Sequence, residues 1–434
     1  MQFRFGVVLT LMFATAKSRL IKYFFFGNSI TNDGYLRLAY LIGRFVVFLP
    51  LSLLATLVLG FYSLFRPVKI FMLRCERSKI SFIVEDLEVA LRIEAHNEKT
   101  TGVRRPLIFA VLDCESPNRA VTAMYGRVVP FFEDDRPFSR GIIRYTLPLF
   151  RIQRQHLPNK QSDRLDIWAR ESPVLQFAEG EISTGKQLQR KLLGDDSKPF
   201  ICIGIAERIY YELKHKSEHE PLGDKDLYSC MPSWENYIAC TDALQKNSIE
   251  SVRMGQYVSN NLADFTESSI IDYASSARSE FGDIWLLANC KFVVVGATGL
   301  WWVTSAFNKP TVLTDAYSLN YSTFGKNDLI IVQLAWSRSA KKLMPFEWII
   351  EHNEWAQDRT LINGDVEIVK NTAEEISEVV LEMNQRIDGT WIETDEDIYL
   401  QERFKKLWKA QPPWKVQQGV RIGAAFLRRY KHLL

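Results

Sequence analysis

An α/β fold of two Rossmann-like domains behind an N-terminal apolar helical segment is what this 434-residue sequence predicts. Three observations lead there. The stretch from Ile249 to Pro310 alternates short apolar runs with amphipathic ones in a strand–helix–strand rhythm. A similar alternation precedes it from Val68 to Val129. Finally, 47% hydrophobic and 24% charged residues over this length suit a globular protein with more than one sizeable core.

The first 65 residues stand apart. Asp33 is their single acid, against Arg4, Lys17, Arg19, Lys22, Arg37 and Arg44. No residue from Phe45 to Phe65 is charged, and 21 helical residues just span a hydrocarbon layer at about 1.5 Å each. A spanning helix, a monotopic hairpin bent at Pro50 and a secretory signal over Gly6 to Ala16 compete here with a buried hairpin. Only Arg4 precedes the first apolar run and a second such run follows, so membrane association without translocation is expected.

Residues 66–195 read as the first α/β domain. Arg66-Pro67 ends the apolar run, and Val68 to Leu73 is a strand. Ile80 to Val84 reads as a short strand and Asp86 to His96 as a helix. Leu107 to Leu112 is a buried strand, Asn118 to Val129 a helix, and Glu179 to Leu193 another. Asp134 to Pro137 and Arg151 to Arg164 read as surface loops. Gly194 to Ser197 marks the junction to a second domain over 196–395, opened by a strand at Phe200 to Ile205. Polar residues dominate Tyr210 to Pro232. His215 and His219 have helical ligand spacing, but Pro221 and Gly223 oppose a long helix, and no metal is expected.

The most informative residues follow. Glu250 to Val252 and Ile270 to Tyr273 read as strands, Ile284 to Ala288 as part of a helix with Asp283 in its first turn, and Lys291 to Val295 as a strand. Gly296-Ala297-Thr298-Gly299 then joins that strand to a helix over Leu300 to Phe307. Such a loop is either a tight corner or a phosphate cradle of backbone N–H groups. Arg253 stands at the carboxyl end of its strand, followed by Gly255, where open α/β sheets bind ligands. An arginine there is either a bidentate clamp on a diphosphate or half of an ion pair with Asp272 or Asp283.

Further strands are expected at Thr311 to Thr314, Leu329 to Val332 and Val366 to Val369, with loop residues Asp315, Tyr317 and Asn320 as secondary ligand contacts. Thr372-Ala373-Glu374-Glu375 has the capping-box pattern for a helix up to Met383. From Arg403 to Leu434 nine Lys or Arg and no acid occur, so 396–434 reads as a basic amphipathic helix on an anionic membrane or on the first domain. Six cysteines without a CxxC pair read as buried thiols of a reducing compartment. No Walker loop or hydrolase elbow is present.

In order, Ser251-Val252-Arg253-Met254-Gly255, Ile270-Ile271-Asp272-Tyr273-Ala274, Ser279 to Ile284, Cys290-Lys291-Phe292 and Ala297-Thr298-Gly299 resemble a family of bacterial glycosyltransferases found with surface-carbohydrate genes. Ser172 to Phe177, Lys198 to Ile203, Asn371 to Ile376 and Arg386 to Trp391 extend the resemblance, which covers about 66–391. It implies the two-domain GT-B fold, with a fucosyltransferase-like second domain and a closing cleft that excludes water. It further implies a nucleotide-sugar donor as co-substrate, no cofactor or metal, and a cell-surface glycan or lipid-linked acceptor. No nucleic-acid partner is implied, and the expected location is the cytoplasmic face of the inner membrane. Arg253, Gly255, Ala297, Thr298 and Gly299 would hold the diphosphate, while Asp272 and Asp283 would position the ribose or order Arg253.

Three departures stand beside the matches. The family's His-x-Arg-Asp element is Gly204-Ile205-Ala206-Glu207 here, with Arg208 next. Its Arg-Ile-Gly-His is Lys79-Ile80-Ser81-Phe82, and Met231 to Trp234 lacks the usual arginine. They imply altered acceptor chemistry, or a degenerate relative that binds glycan, nucleotide or a partner enzyme without catalysis.

Overall fold

A computed structural model describes residues 50, 53–54, 57–58, 60–73, 80–112, 116–132, 151–152, 167–168, 171–207, 209–210, 231–258, 269–296, 298–317, 319, 325, 327–352, 355–409 and 420–434. Most of the apolar segment 1–65, the expected loop Asp134 to Pro137, all but the start of that at Arg151 to Arg164, the His215/His219 stretch and Asn320 lie outside them; Arg151–Ile152, expected in a loop, is a strand paired with Ile70 and Phe71. Among the described residues no helix is long and apolar enough to cross a membrane. The chain divides into two compact units, one of residues 1–78, 93–117 and 125–157, the other of 79–92, 118–124 and 158–434.

The first unit is built on a four-stranded parallel sheet of β1 (Val68–Leu73), β2 (Leu107–Leu112), β3 (Phe131–Phe132) and β4 (Arg151–Ile152), in the order β3-β2-β1-β4. Val68 pairs with Leu107 and the register holds to Leu73 with Leu112. Ile70, Leu73, Ile108, Ala110 and Leu112 are buried, as the near-continuous apolar runs require of strands covered on both faces. In the same unit Leu54, Leu57, Phe61, Leu64 and Phe65 are exposed.

The expected strand at Ile80 to Val84 is instead the start of a helix, Ile80–Thr101. Ile83, Leu87, Ala90 and Leu91 are buried at helical spacing, so a 3.6-residue period overrides the β-preference of Ile80, Ile83 and Val84.

The second unit holds a seven-stranded parallel sheet: β5 (Phe200–Ile205), β6 (Glu250–Arg253), β7 (Ile270–Ile271), β8 (Val293–Gly296), β9 (Thr311–Ala316), β10 (Leu329–Val332) and β14 (Arg421–Ile422). Their order is β14-β10-β9-β8-β5-β6-β7. Counted from β5, the first six strands run 3-2-1-4-5-6, the doubly wound Rossmann order, and the winding reverses between β5 and β8. All six residues of β5 and all of β8, β9 and β10 are buried. A small antiparallel sheet of β11 (Leu334–Ser337), β12 (Lys342–Leu343) and β13 (Val366–Val369) adjoins β10 in sequence; of these only β13 is expected from the sequence.

Helices follow the local signals. Gly194, at φ 78°, ends the helix Glu179–Leu193 in the left-handed conformation that glycine adopts without strain. Thr372 caps the helix Ala373–Asp388, its hydroxyl accepting from Glu375 N–H while the Glu375 carboxylate accepts from Thr372 N–H. Of the segment read as one basic helix, 395–409 is an acid-started helix, Arg421–Ile422 is strand β14 and Ala424–Arg429 is a short helix. Its cations meet acids of their own unit: Arg421 with Glu393, Arg428 with Asp397, Arg429 with Glu374 at 3.1 Å, and Lys431 with Glu396 at 3.0 Å.

Candidate functional site

The carboxyl ends of β5 and β8 face each other where the sheet reverses its winding, the place in such sheets where ligands bind. Ile205 pairs with Gly296, and the Ala206 N–H donates to the Gly296 carbonyl at 2.9 Å, carrying the ladder one residue past β5. Gly296 ends the strand rather than opening the loop. Ala297 lies outside the described residues, Thr298 is half-buried, and the helix after Gly299 is only seven residues, Leu300–Ala306.

The glycines here are places of close approach. A Cβ on Gly299 would lie 2.8 Å from Ser81 Cβ and Oγ, and one on Gly296 2.5 Å from the Tyr237 hydroxyl. At Gly204 it would lie 2.5 Å from Leu300 Cδ1. The histidine of the resembled family therefore has no room at position 204 unless Leu300 moves. Gly255 packs in the same way against Val258 Cγ1, at 2.5 Å.

Arg253 ends β6 and is fully buried. It donates through Nη2 to Glu207 Oε1 at 2.6 Å and through Nη1 to Asp272 Oδ2 at 3.1 Å, with its guanidinium over the Trp234 ring at 5.1 Å. Trp234 Nε1 also donates to Glu207 Oε1, at 2.9 Å. The ion-pair alternative with Asp272 is thus realised. Asp272 is not the strand residue expected but the cap of a four-residue helix, Tyr273–Ser276, its carboxylate accepting from Ser275 N–H and Oγ.

Asp283 does not meet Arg253. It accepts from Arg278 Nη2 at 2.8 Å and from the Tyr273 hydroxyl at 3.2 Å, and burial raises its pKa to about 6 despite the arginine. Its first-turn position in the helix Glu280–Asn289 is as expected, with Ser279 as cap.

A second polar cluster lies at the end of β9. Asp315, buried at φ 49°, accepts from Asn371 N–H at 2.9 Å and from the Tyr237 hydroxyl at 3.3 Å, while its own N–H donates to Asn371 Oδ1 at 2.6 Å. Tyr237 also bonds Thr314 Oγ1 at 2.6 Å. This left-handed backbone at an aspartate is uncommon strain, held by the paired bonds with Asn371. Through Tyr237 the cluster supports Gly296 from behind. Sequence reasoning places Asp315 in a loop; the strand runs two residues longer, to Ala316.

Burial raises the Asp315 pKa to about 6 from its usual 3.8, outweighing the bonds it accepts. The folded state then holds a proton between about pH 4 and 6 that the unfolded chain has released. Its contribution to stability is present below pH 4 and is lost as pH rises through 6. Asp315→Asn, which suits left-handed backbone and keeps one acceptor, is expected to flatten the decline in unfolding free energy over that window by on the order of 1–3 kcal/mol. Urea titrations at stepped pH check this, and an unchanged slope would rule out Asp315 as the titrating group.

Two of the three departures from the resembled family, at Glu207 and Trp234, meet at Arg253; of the third, Lys79 to Phe82, it is Ser81 that reaches the crevice. Ser81 abuts Gly299, Glu207 holds Arg253, and Trp234 covers both while Pro232 lies against Gly296. Arg208 and Lys79 lie outside the described residues.

No protein-family model matches the sequence, and no curated protein matches it. Solved structures of glycosyltransferases are similar. A glycosyl transferase of family 9 from Veillonella parvula is 8% identical, with a TM-score of 0.38 over 62% of this chain and 86% of that one. The E. coli ADP-heptose LPS heptosyltransferase II is 15% identical, with a TM-score of 0.37 over 61% and 90%. E. coli heptosyltransferase WaaC, bound to ADP-2-deoxy-2-fluoro heptose, is 10% identical, with a TM-score of 0.32 over 68% and 98%. Likenesses of this size carry neither an activity nor a substrate across.

Proposed function

We propose that this protein is a glycosyltransferase of GT-B type that takes its sugar from a nucleotide-sugar donor. One observation carries the reading. Segments that carry the resemblance, at 253–272 and 296–299, and segments that depart from it, at 204–207 and 231–234, adjoin one another about the winding reversal of a 3-2-1-4-5-6 parallel sheet. Carboxyl ends of neighbouring parallel strands adjoin here, and this is the place where Rossmann sheets bind nucleotides. Thr298 and the adjoining backbone would meet the donor phosphates. Arg253 would act behind them, setting Glu207 and Trp234. No metal is needed for the charge on the leaving diphosphate if oriented N–H donors stabilise it.

The acceptor is a surface glycan or a lipid-linked one, reached from the cytoplasmic face of the inner membrane. Exposed Leu54, Leu57, Phe61, Leu64 and Phe65 support membrane attachment of the first unit. The domain scheme 66–195 and 196–395, with a basic segment after it, remains part of this proposal.

A second reading is favoured by the burial of Arg253. Buried, with Nη2 on Glu207 and Nη1 on Asp272, its guanidinium is engaged by acids of the protein, as befits a relative that binds without transfer. Thermal-shift screening against nucleoside diphosphates and nucleotide sugars separates the two. A donor at about 100 times its dissociation constant adds about 2.7 kcal/mol of stability. Thr298→Asp, which sets a carboxylate at the crevice, should abolish that gain without altering the apo melting point. Turnover of the stabilising donor then supports the transferase; stabilisation without turnover supports the binding relative. No response at millimolar ligand sinks both.

A further inference from the structure

We propose that the opposite, amino-terminal edge of the seven-stranded sheet carries a second ligand site, for a phosphate ester. The cleft there has a volume of about 730 Å³, the size of a small-molecule site. It is remote from the crevice described above, because parallel strands bring all their carboxyl ends to the other edge.

Three of its lysines stand at the starts of adjacent strands: Lys198 ahead of β5, Lys291 ahead of β8 and Lys309 ahead of β9. The strands are fixed side by side by Lys291 N–H donating to the Phe200 carbonyl at 2.8 Å and Val293 N–H to the Pro310 carbonyl at 3.1 Å. Neighbouring strands are about 4.8 Å apart, so Lys198 and Lys309 flank Lys291, whose ammonium donates to Asn384 Oδ1 at 2.7 Å and Asp388 Oδ1 at 2.6 Å. Lys186 joins them from the helix Glu179–Leu193.

Nearby acids answer two of these four charges, those of Lys198 and Lys291. Asp196, the acid of the lining, is held by Arg190 at 2.8 Å. Glu250 is 3.5 Å from Lys198, and Asp388 takes Lys291 at 2.6 Å. Lys186 and Lys309 have no ion pair among the described residues. An anion with several oxygens would supply the counter-charge that Lys186 and Lys309 lack, accepting charge-assisted bonds from both.

The rest of the lining selects the kind of anion. Phe177, half-buried, and Ile182, 38% exposed, flank the lysines and offer apolar cover to an organic group. The wall behind is rigid. Trp285 packs so closely on the helix that a Cβ on Gly185 would lie 1.9 Å from its ring, and its Nε1 donates to Gln189 Oε1 at 2.8 Å. A phosphate with an apolar or cyclic ester group fits both halves. Its source is either a soluble phosphate ester or a phospholipid headgroup. The inference does not depend on the proposed transferase activity.

The test uses the full chain and the double variant Lys186→Gln/Lys309→Gln, with Lys191→Gln/Lys246→Gln as a control of equal charge change outside the cleft. Inorganic pyrophosphate is titrated calorimetrically, and flotation is measured with vesicles of phosphatidylcholine alone or containing phosphatidylglycerol. Pyrophosphate binding weakened about tenfold in the cleft variant and unchanged in the control supports the site with a soluble ligand, two charge-assisted contacts being lost. Flotation with phosphatidylglycerol vesicles that only the cleft variant loses supports it with a headgroup. If neither probe binds, or both variants behave alike, the proposal is overturned. Matching melting curves for the variants without ligand confirm that both fold.

Discussion

Arg92→Met is expected to cost about 3–5 kcal/mol of folding free energy, the range for removing one partner of a buried ion pair. Arg92 is 1% exposed and its partner Glu88 wholly buried. Its guanidinium donates to Glu88 Oε1 at 2.8 Å, the Trp168 carbonyl at 2.7 Å, Asn308 Oδ1 at 2.7 Å, the Glu171 carbonyl at 3.2 Å and the Ala306 carbonyl at 2.5 Å, and it lies 4.7 Å over the Trp168 ring. One side chain thus joins the first helix of the unit to the segment around 168–171 and to the turn after the helix Leu300–Ala306. Methionine fills much of the volume but answers none of the acceptors. A buried carboxylate would remain with the Val174 N–H as a hydrogen-bond donor at 2.9 Å. Adding Glu88→Gln should recover part of the loss, since a neutral amide is far cheaper to bury. Urea denaturation reads this as a shifted midpoint with unchanged slope. A loss below about 1 kcal/mol would mean that the network contributes little beyond packing.

Arg253→Met should cost about 2–4 kcal/mol, somewhat less because Asp272 is 26% exposed and water can screen it. Glu207, 9% exposed, is the more damaging orphan. The double variant Arg253→Met/Glu207→Gln is therefore expected to be more stable than Arg253→Met alone, whereas Arg253→Met/Asp272→Asn gains less. If both second changes restore equally, the assignment of Glu207 as the dominant partner fails. The same proteins, kept cold enough to stay folded, show whether Arg253 bears on ligand. A nucleotide affinity unchanged in Arg253→Met would assign it wholly to structure. An affinity lowered in Arg253→Met and restored with Glu207→Gln would show that Arg253 acts by neutralising Glu207 beside the phosphates.

Much of the framework is legible along the chain. Phe200 to Ile205 is a six-residue apolar run of the kind that strands covered on both faces show. Thr372 and Glu375 announce their helix because a hydroxyl and a carboxylate three residues apart answer two orphan N–H groups. Ile80 to Val84 misleads because β-branched residues favour strands when judged alone, while burial of Ile83, Leu87 and Leu91 on one side is settled by what packs there. The antiparallel trio β11, β12 and β13 shows little signal because its pairings are two to four residues long.

The site divides along the same line. By itself the sequence determined the local matters: that Arg253 ends a strand, that Asp283 lies in a helix's first turn, and that Gly296 and Gly299 lie between a strand and a helix of an α/β alternation. Each depends on residues within one turn or one strand, where steric and hydrogen-bonding rules act. Tertiary structure alone decided which acid takes Arg253. Glu207 is 46 residues away and reaches it because β5 and β6 pair, while Asp283, equally plausible in sequence, turns to Arg278. It also decided that Asp315 is strained and keeps its proton up to about pH 6, and that lysines 198, 291 and 309 stand at one edge. Charge interactions and burial depend on distance in space, and strand order, which no single segment encodes, sets that distance.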